Sequence, residues 1–432
     1  RDGLYWKTCK DITDLESQFI IGLLKYERQL LGKTKPSAFE QESETEKDGD
    51  TLFADFMKDE EKRTQRKEKI HQNIEDLLQQ TETVMDNEDE TIAARIIKVI
   101  ELYKKADEWA AATAYDKKKH SDLLFNYAGF LYKYGLYKDA EAVYLRQIEF
   151  AEKLYGKKHE KTAKSYNNLS SVYWRQSNFE KALEYDLKAL AIQEKILGTE
   201  HADTARTYND LGTVYRRLGD YGKALEYHFK ALKIKEKVLG TEHPDTATSY
   251  NNIGAVYDDK GDYDKALEYY FKTSEIFEKI LGTEHPSTAT SYNNIGLVYD
   301  EQGDYGKALG YYLKALPIVE KNLGPEHPNT ASTYNNIGEV YREQGDYGKA
   351  LEYYFKALAI REKVLGTEHP NTASSYFCLG AVYYHLGEYK TALKYLNNAQ
   401  QIYEKVLGSE HPYTKKVLGW IVSVNKAIKS TP

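Results

Sequence analysis

The chain has 432 residues, a net charge of −7 and 29% charged residues of mixed sign, which excludes the basic face that general nucleic-acid binding needs. Only two cysteines occur, Cys9 and Cys378, which excludes a disulfide framework and points to a reducing, cytoplasmic setting. No apolar run reaches membrane-spanning length; the best, Phe19-Ile20-Ile21-Gly22-Leu23-Leu24, is far too short.

The chain opens on Arg1 with no initiator Met and no signal-peptide pattern, which reads as a piece of something longer. Residues 1–32 carry one amphipathic helix, about Asp14 to Leu31, with Leu15, Phe19, Leu23, Leu24 and Leu30 roughly on one side. Residues 33–50 are polar and Glu-rich and read as a mobile linker. Residues 51–118 read as a helical extension. Its first helix runs from about Thr51 to Val84, with a charged, solvated middle from Lys58 to Lys69. Ile70, Ile74, Leu77 and Val84 fall close to a/d spacing, over too few heptads for a coiled coil. Its second helix, Glu90 to about Trp109, shows Ile92, Ile96, Val99, Ile100 and Tyr103 on one face and is expected to cap the repeated region that begins near Lys119.

From about 119 to 412 the chain repeats. His159, His201, His243, His285, His327, His369 and His411 are each 42 residues apart, the mark of stacked repeats. Aligning Ala128, Ser170, Gly212, Gly254, Gly296, Gly338 and Gly380 at the same step gives seven units. Each unit predicts two helices. Tyr250, Ile253, Gly254 and Tyr257 form one face of the first, and Gly261-Asp262 ends it. Ala266, Leu267, Tyr270, Ile276 and Ile280 form the stripe of the second, with Gly254 and Ala266 leaving room for long facing side chains. Pro286 suits the first position of the next helix. Residues 413–432 read as a capping helix to about Ile428, with Val417, Leu418, Ile421, Val422 and Val424 apolar. Pro317 falls inside a second helix, where it lacks the N–H to bond Leu313; a kink or local widening is expected there.

Tyr250-x2-Ile253-Gly254-x2-Tyr257 followed by Ala266-x3-Tyr270 resembles the tetratricopeptide repeat, whose usual unit is about 34 residues. Ala357–Ala373 and Ser249–Gly254 are similar to the long-unit repeats of kinesin light chains. The resemblance implies an all-α, right-handed solenoid with N-terminal helical extensions and a C-terminal cap. It also implies a concave groove, lined by the first helices, that holds peptides. Unlike kinesin light chains, this chain has no long heptad region before the array, which tells against a motor-subunit role.

No catalytic constellation is evident, and no cofactor or metal is expected. Equivalent histidines of neighbouring repeats stand on the order of 10 Å apart, whereas zinc holds its ligands at about 2 Å; they read as caps or loop contacts. Thr204, Thr246, Thr288, Thr330 and Thr372 read as first-turn residues, and Asp220, Asp262, Asp304 and Asp346 as turn residues. Cys378 reads as a buried thiol.

What remains is the polar stripe Thr248, Asn251, Ala255 and Asp258, which shares one helical face. Asn252 lies on its edge and matches the family's frequent groove Asn. The Asn pair recurs as Asn167/Asn168, Asn293/Asn294 and Asn335/Asn336, with Asn209/Asp210 in repeat three. An Asn amide both donates and accepts, so such a ladder can hold a ligand backbone; the alternative is that it bonds only to neighbouring helices. Around it, Lys164, Arg175, Arg206, Arg216 and Arg217 give repeats two and three a basic character, while Asp258, Asp259, Asp300 and Glu301 make repeats four and five acidic. Repeat six mixes Arg342 with Glu343, and repeat seven offers Tyr384 and His385 beside Phe377. The expected partner is a protein or peptide with an acidic segment over repeats two and three, bound by an exposed set of arginines. The chain is thus read as a non-enzymatic interaction scaffold, or as the sensing part of a larger enzyme or effector.

Overall fold

The structure, a computed structural model, describes residues 49–87, 90–113 and 115–430. The expected helix at 14–31 and nearly all of the linker lie outside them. The described residues hold seventeen α-helices and no strand. They fall into two compact units, one reaching Thr207 and the other starting at Tyr208.

In the first unit, α1 (Gly49–Met85) packs on α2 (Ile92–Ala112). Ile74, Leu77, Ile96, Val99 and Ile100 are buried, but Ile92 is 51% exposed, contrary to the predicted stripe. Ile92 is the first residue of its helix, directly after the capping Thr91, and its side chain has no preceding turn to lie on. α3 (Lys117–Lys133) and α4 (Tyr137–Tyr155) make the first repeat, and α5 (Glu160–Arg175) and α6 (Phe179–Ile196) the second. α2 meets α3 through a stacked Tyr103–Tyr127 pair, ring centres 5.1 Å apart. It also meets it through the buried Asp107, which faces His120 Nε2 at 2.8 Å and accepts from Arg146 at 3.0 Å. Burial alone would raise the Asp107 pKa, but the hydrogen bonds from His120 and Arg146 hold it below the usual carboxylate value.

The second unit takes α7 (Ala202–Arg217) from Tyr208 onward, then α8 (Tyr221–Leu239). Repeats four to six are α9 (Pro244–Asp259) with α10 (Tyr263–Ile280), α11 (Pro286–Glu301) with α12 (Tyr305–Leu323), and α13 (Pro328–Glu343) with α14 (Tyr347–Leu365). Repeat seven is α15 (Pro370–His385) with α16 (Tyr389–Leu407), and α17 (Pro412–Ser430) comes last.

Two local devices recur through the array. The first is the loop between repeats. Gly240, Gly324, Gly366 and Gly408 adopt φ of 87–93° with extended ψ, a region open in practice only to glycine. Each repeat histidine then caps the next helix, its Nδ1 accepting the N–H two residues on at 3.0–3.2 Å. The threonine after it, fully buried, donates its hydroxyl back to the loop glycine's carbonyl, at 2.8 Å from Thr246 to Gly240. The histidines are therefore caps, and their Nδ1 atoms are unprotonated acceptors. Asp220, Asp304 and Asp346 cap the second helices in the same way, while Asp262 does not.

The second device is the close approach within each helix pair. A Cβ added at Gly254, Gly296 or Gly338 would stand 2.8–2.9 Å from the ring of Tyr270, Tyr312 or Tyr354. Gly212 meets His228, and Gly380 meets Leu396, at 2.7 Å. His228 is 1% exposed, and burial, with Arg216 next, pushes its pKa down to about 3. Between repeats, the Tyr250 hydroxyl donates to Glu236 at 2.5 Å; Tyr334 and Tyr376 do the same to Glu320 and Glu362.

Two expectations need correction. Ile280 is 48% exposed, and its counterparts Val238, Val364 and Val406 are 49–58% exposed, so the second-helix stripe ends before them. Its neighbours Ile276 and Phe277 already fill the inward side of that turn. In α17, Val417 and Val424 are buried, but Leu418 and Val422 are 38% and 67% exposed. Val417 and Val424 face repeat seven, and Leu418 and Val422 occupy the side that other first helices turn to their own second helix. At Pro317, α12 continues as one helix of 19 residues, as long as α14 and α16, so the proline does not shorten it.

Gly310 of α12 is exposed, with nothing within 4 Å of an added Cβ. The matching Glu226, Glu268 and Glu352 each pair with a lysine four residues on at 2.7 Å. Gly310→Glu should therefore stabilise the array by about 1 kcal/mol through helix propensity and one such pair. Gly296→Ala gains about 1 kcal/mol of propensity but forces a methyl against the fully buried Tyr312, a cost of ~1–3 kcal/mol. Urea unfolding should show opposite signs for the two variants; two stabilising changes would disprove the close-packing argument. Pro317→Ala restores a donor for Leu313 and should stabilise by about 2 kcal/mol, the helix gain less the lost stiffness of the unfolded chain. An unchanged urea midpoint would mean that the helix already absorbs the proline without strain.

Candidate functional site

The residues expected to bind a partner sit on the first helix of each repeat, because Asn251, Ala255 and Asp258 face away from the side packed on the second helix. All three are half-buried. Six of the asparagines bond within the array. Asn252 donates to Asn209 Oδ1 at 2.8 Å, and Asn294 donates to Asn251 Oδ1 at 2.7 Å, each rung joining consecutive first helices. In the first unit Asn167 donates to Thr207 at 2.5 Å, and Asn168 to the Tyr144 hydroxyl at 3.2 Å. Asn335 and Asn336 are buried, and Asn293 is half-buried. The ladder thus splices neighbouring repeats. The reason is register: position 251 of one repeat lies beside position 252 of the next.

At repeat seven the same register pairs Phe377 with Trp420 of α17, edge to face at 5.9 Å. Tyr384 and His385 also pack on Trp420, at 5.5 and 6.0 Å. Tyr384 therefore belongs to an aromatic cluster that closes this end of the row. Trp420 was missed by sequence reading; its offset of 168 residues from Asn252, four repeat steps, was the available signal.

The charged residues divide. Lys164 lies 5.8 Å over the Phe125 ring, Arg175 Nε donates to the Tyr132 hydroxyl at 3.3 Å, and Arg206 reaches Asp203 at 3.3 Å, all in the first unit. In the second unit Arg216 Nε donates to Asp259 Oδ2 at 2.7 Å, its side chain only 20% exposed. Arg217 is desolvated: burial, then the Arg216 charge, lowers its pKa. Arg216 is thus not the free, exposed fork expected for an acidic ligand. One member of each set, Arg216 and Asp259, pairs here, since one repeat's helix end lies against the next.

Beyond that seam lies a carboxylate group. Arg342 bonds both Glu339 and Glu343, and the Tyr354 hydroxyl donates to Glu339 at 2.5 Å. Asp258 and Asp300 are half-buried. Burial, then Asp259, pushes the Asp258 pKa up to about 7; burial, then Glu339, does the same to Asp300. Glu301 adds to both. Glu339 was not singled out in the sequence, although it replaces the Ala255, Leu297 and Ala381 of other repeats. Among the described residues, no three His, Cys, Asp or Glu side chains converge closely enough to hold a metal ion. Nor is any helix among them long and apolar enough to cross a membrane.

The Arg216 charge lowers the Asp258 pKa, so Arg216→Ala should raise it above about 7, as carboxylate titration by NMR would show. The variant should lose about 1–3 kcal/mol, typical of a hydrogen bond to a charged group. A raised folded pKa means that the folded state holds a proton the unfolded state has lost, so stability falls as pH rises through that window. The loss should therefore be larger at pH 8 than at pH 5. Equal losses at both pH values would show that Arg216 does not act on Asp258.

The sequence profile of the tetratricopeptide repeat matches at 120–195, 166–237, 216–279, 259–321, 301–363, 330–396 and 371–419. Among solved structures, BtubC (BKLC) from P. vanneervenii is 25% identical, over 55% of this chain and 92% of that one, with a TM-score of 0.45. A putative kinesin light chain of nearly identical repeats from Podosopora anserina is 27% identical, over 48% and 98%, with a TM-score of 0.42. A signal transduction ATPase with a tetratricopeptide repeat sensor, from Pyrococcus horikoshii, is 18% identical, over 80% and 51%, with a TM-score of 0.52. A comparison with curated proteins found no significant match. The helix pairs and the profile, which together span more than half of the residues, agree, and the chain belongs to the tetratricopeptide repeat family.

Proposed function

We propose that this array, a protein-interaction fold, is a non-catalytic scaffold that binds an extended segment of a protein partner along the first-helix face of its second unit. One observation carries the reading. Arg216, Asp258, Asp300, Arg342 and Tyr384 occupy one position at steps of 42 and vary among Arg, Asp and Tyr. The buried positions beside them, Tyr250, Tyr292, Tyr334 and Tyr376, are copied. Packing demands the copied residues; the varied column is available to discriminate among partners. The resemblance to peptide-holding arrays supports the same face. The location is read as cytoplasmic.

Partner capture by the full chain tests this. Asp258→Ser with Asp300→Ser should weaken the captured partner's affinity tenfold or more without lowering the thermal midpoint. Val364→Ser with Val406→Ser, at exposed positions of the second helices, should leave affinity unchanged. The reverse outcome would move the binding surface to the second helices.

A further inference from the structure

We propose that Asp258, Asp300 and the Tyr312 hydroxyl form a receptor for an organic cation, the guanidinium or ammonium of a basic side chain in a bound peptide. This rests on the first-helix face being the binding surface, and it names the chemistry that the face selects.

Three observations lead here. The first is charge without compensation. The nearest cations are already taken, Arg216 by Asp259 and Arg342 by Glu339 and Glu343. Asp258 faces Asp259 and Glu301 besides Arg216; Asp300 faces Glu339, Glu301 and Glu343 besides Arg342. Six carboxylates against the three guanidiniums of Arg216, Arg217 and Arg342 leave the site anionic.

The second is Tyr312. It is fully buried, and its hydroxyl has no hydrogen-bond partner. Burial, then the charges of Asp300, Glu301, Asp258 and Glu339, raises its pKa well above the ordinary value, which places the hydroxyl among these carboxylates. The equivalent Tyr354 hydroxyl is satisfied by Glu339. A buried hydroxyl left without a bond costs roughly 1–3 kcal/mol, so a ligand that displaces the side chains covering it and supplies an acceptor beside its cation would complete it. A peptide does so, since its backbone carbonyls lie next to its basic side chains.

The third is spacing. Asp258 and Asp300 stand one repeat apart, on neighbouring first helices. They do not converge as a metal site requires. One repeat step suits an extended chain that presents cationic groups in succession. Cation binding favours the ionised carboxylates, so it must release protons near neutral pH, where Asp258 and Asp300 titrate.

The test uses the full chain against an array of capped five-residue peptides with randomised positions, at pH 6 and pH 8. The wild type should retain peptides rich in Arg and Lys, more strongly at pH 8. The Asp258→Asn/Asp300→Asn variant should lose that enrichment tenfold or more while keeping its fold by circular dichroism. Tyr312→Phe should weaken retention of the same peptides. If wild type and the double variant retain the same peptides, the cation receptor is disproved while the binding face survives. If no peptide is retained, both readings fail. Retention abolished by 1 mM spermidine, with spermidine itself binding more tightly than any peptide, would overturn the peptide source in favour of a free polyamine.

Discussion

Everything in the array depends on how closely the two helices of a repeat can approach. At Gly254, Gly296 and Gly338 a tyrosine ring lies where a Cβ would have to be. That contact sets the spacing of the pair, and the spacing sets which residues face outward. The constraint outlives its usual partner. Gly212 holds its place against His228, and Gly380 against Leu396, although ring, imidazole and branched chain share little chemistry. What the position demands is absence on one side and bulk on the other. Helix propensity alone would favour alanine at every one of these sites.

The loop then repeats that geometry at a constant interval. A glycine in a conformation closed to other residues, a histidine used as a helix cap and a threonine tied to the glycine carbonyl act together. Each removes one freedom from a junction that would otherwise let neighbouring repeats hinge. Because junctions recur at equal steps, residues 42 apart reach equivalent positions, and a column of side chains becomes a surface. Function in such an array is written as departures from a copied pattern. Asp258, Asp300 and Arg342 are legible as a column only because Tyr250, Tyr292 and Tyr334 beside them do not change.

The fold was legible because its signal is periodic. The 42-residue step, the Gly–Tyr complement and the histidines before each helix all survive reading as a string, and the histidine caps were found where expected. What was not legible depends on facing. Asn251 and Asn252 read as a ladder for a ligand, yet Asn252 and Asn294 bond to the preceding repeat. One helix cannot reveal whether its polar edge meets a neighbour or open solvent. Ile280 and Val422 fail for the same reason, since periodicity shows that residues share a face and not what covers it. Arg216 looked like a free guanidinium because its partner, Asp259, lies a full repeat away in the chain. Asp107 and His120 were not singled out, since nothing local announces that they meet in the interior, where Arg146 reaches them from the surface.

α17 departs from the repeat pattern at the very position that sustains it. It begins like every other first helix, with His411 capping and Thr414 buried against the loop. Val422 then stands at the position of Gly254, four steps on. The largest side chains the repeats admit there are Ala128 and Ser170. An isopropyl group at that point stands where, in the glycine repeats, the side chain of the facing second helix lies. A helix facing α17 could not approach this point as closely as the Tyr270 ring approaches Gly254.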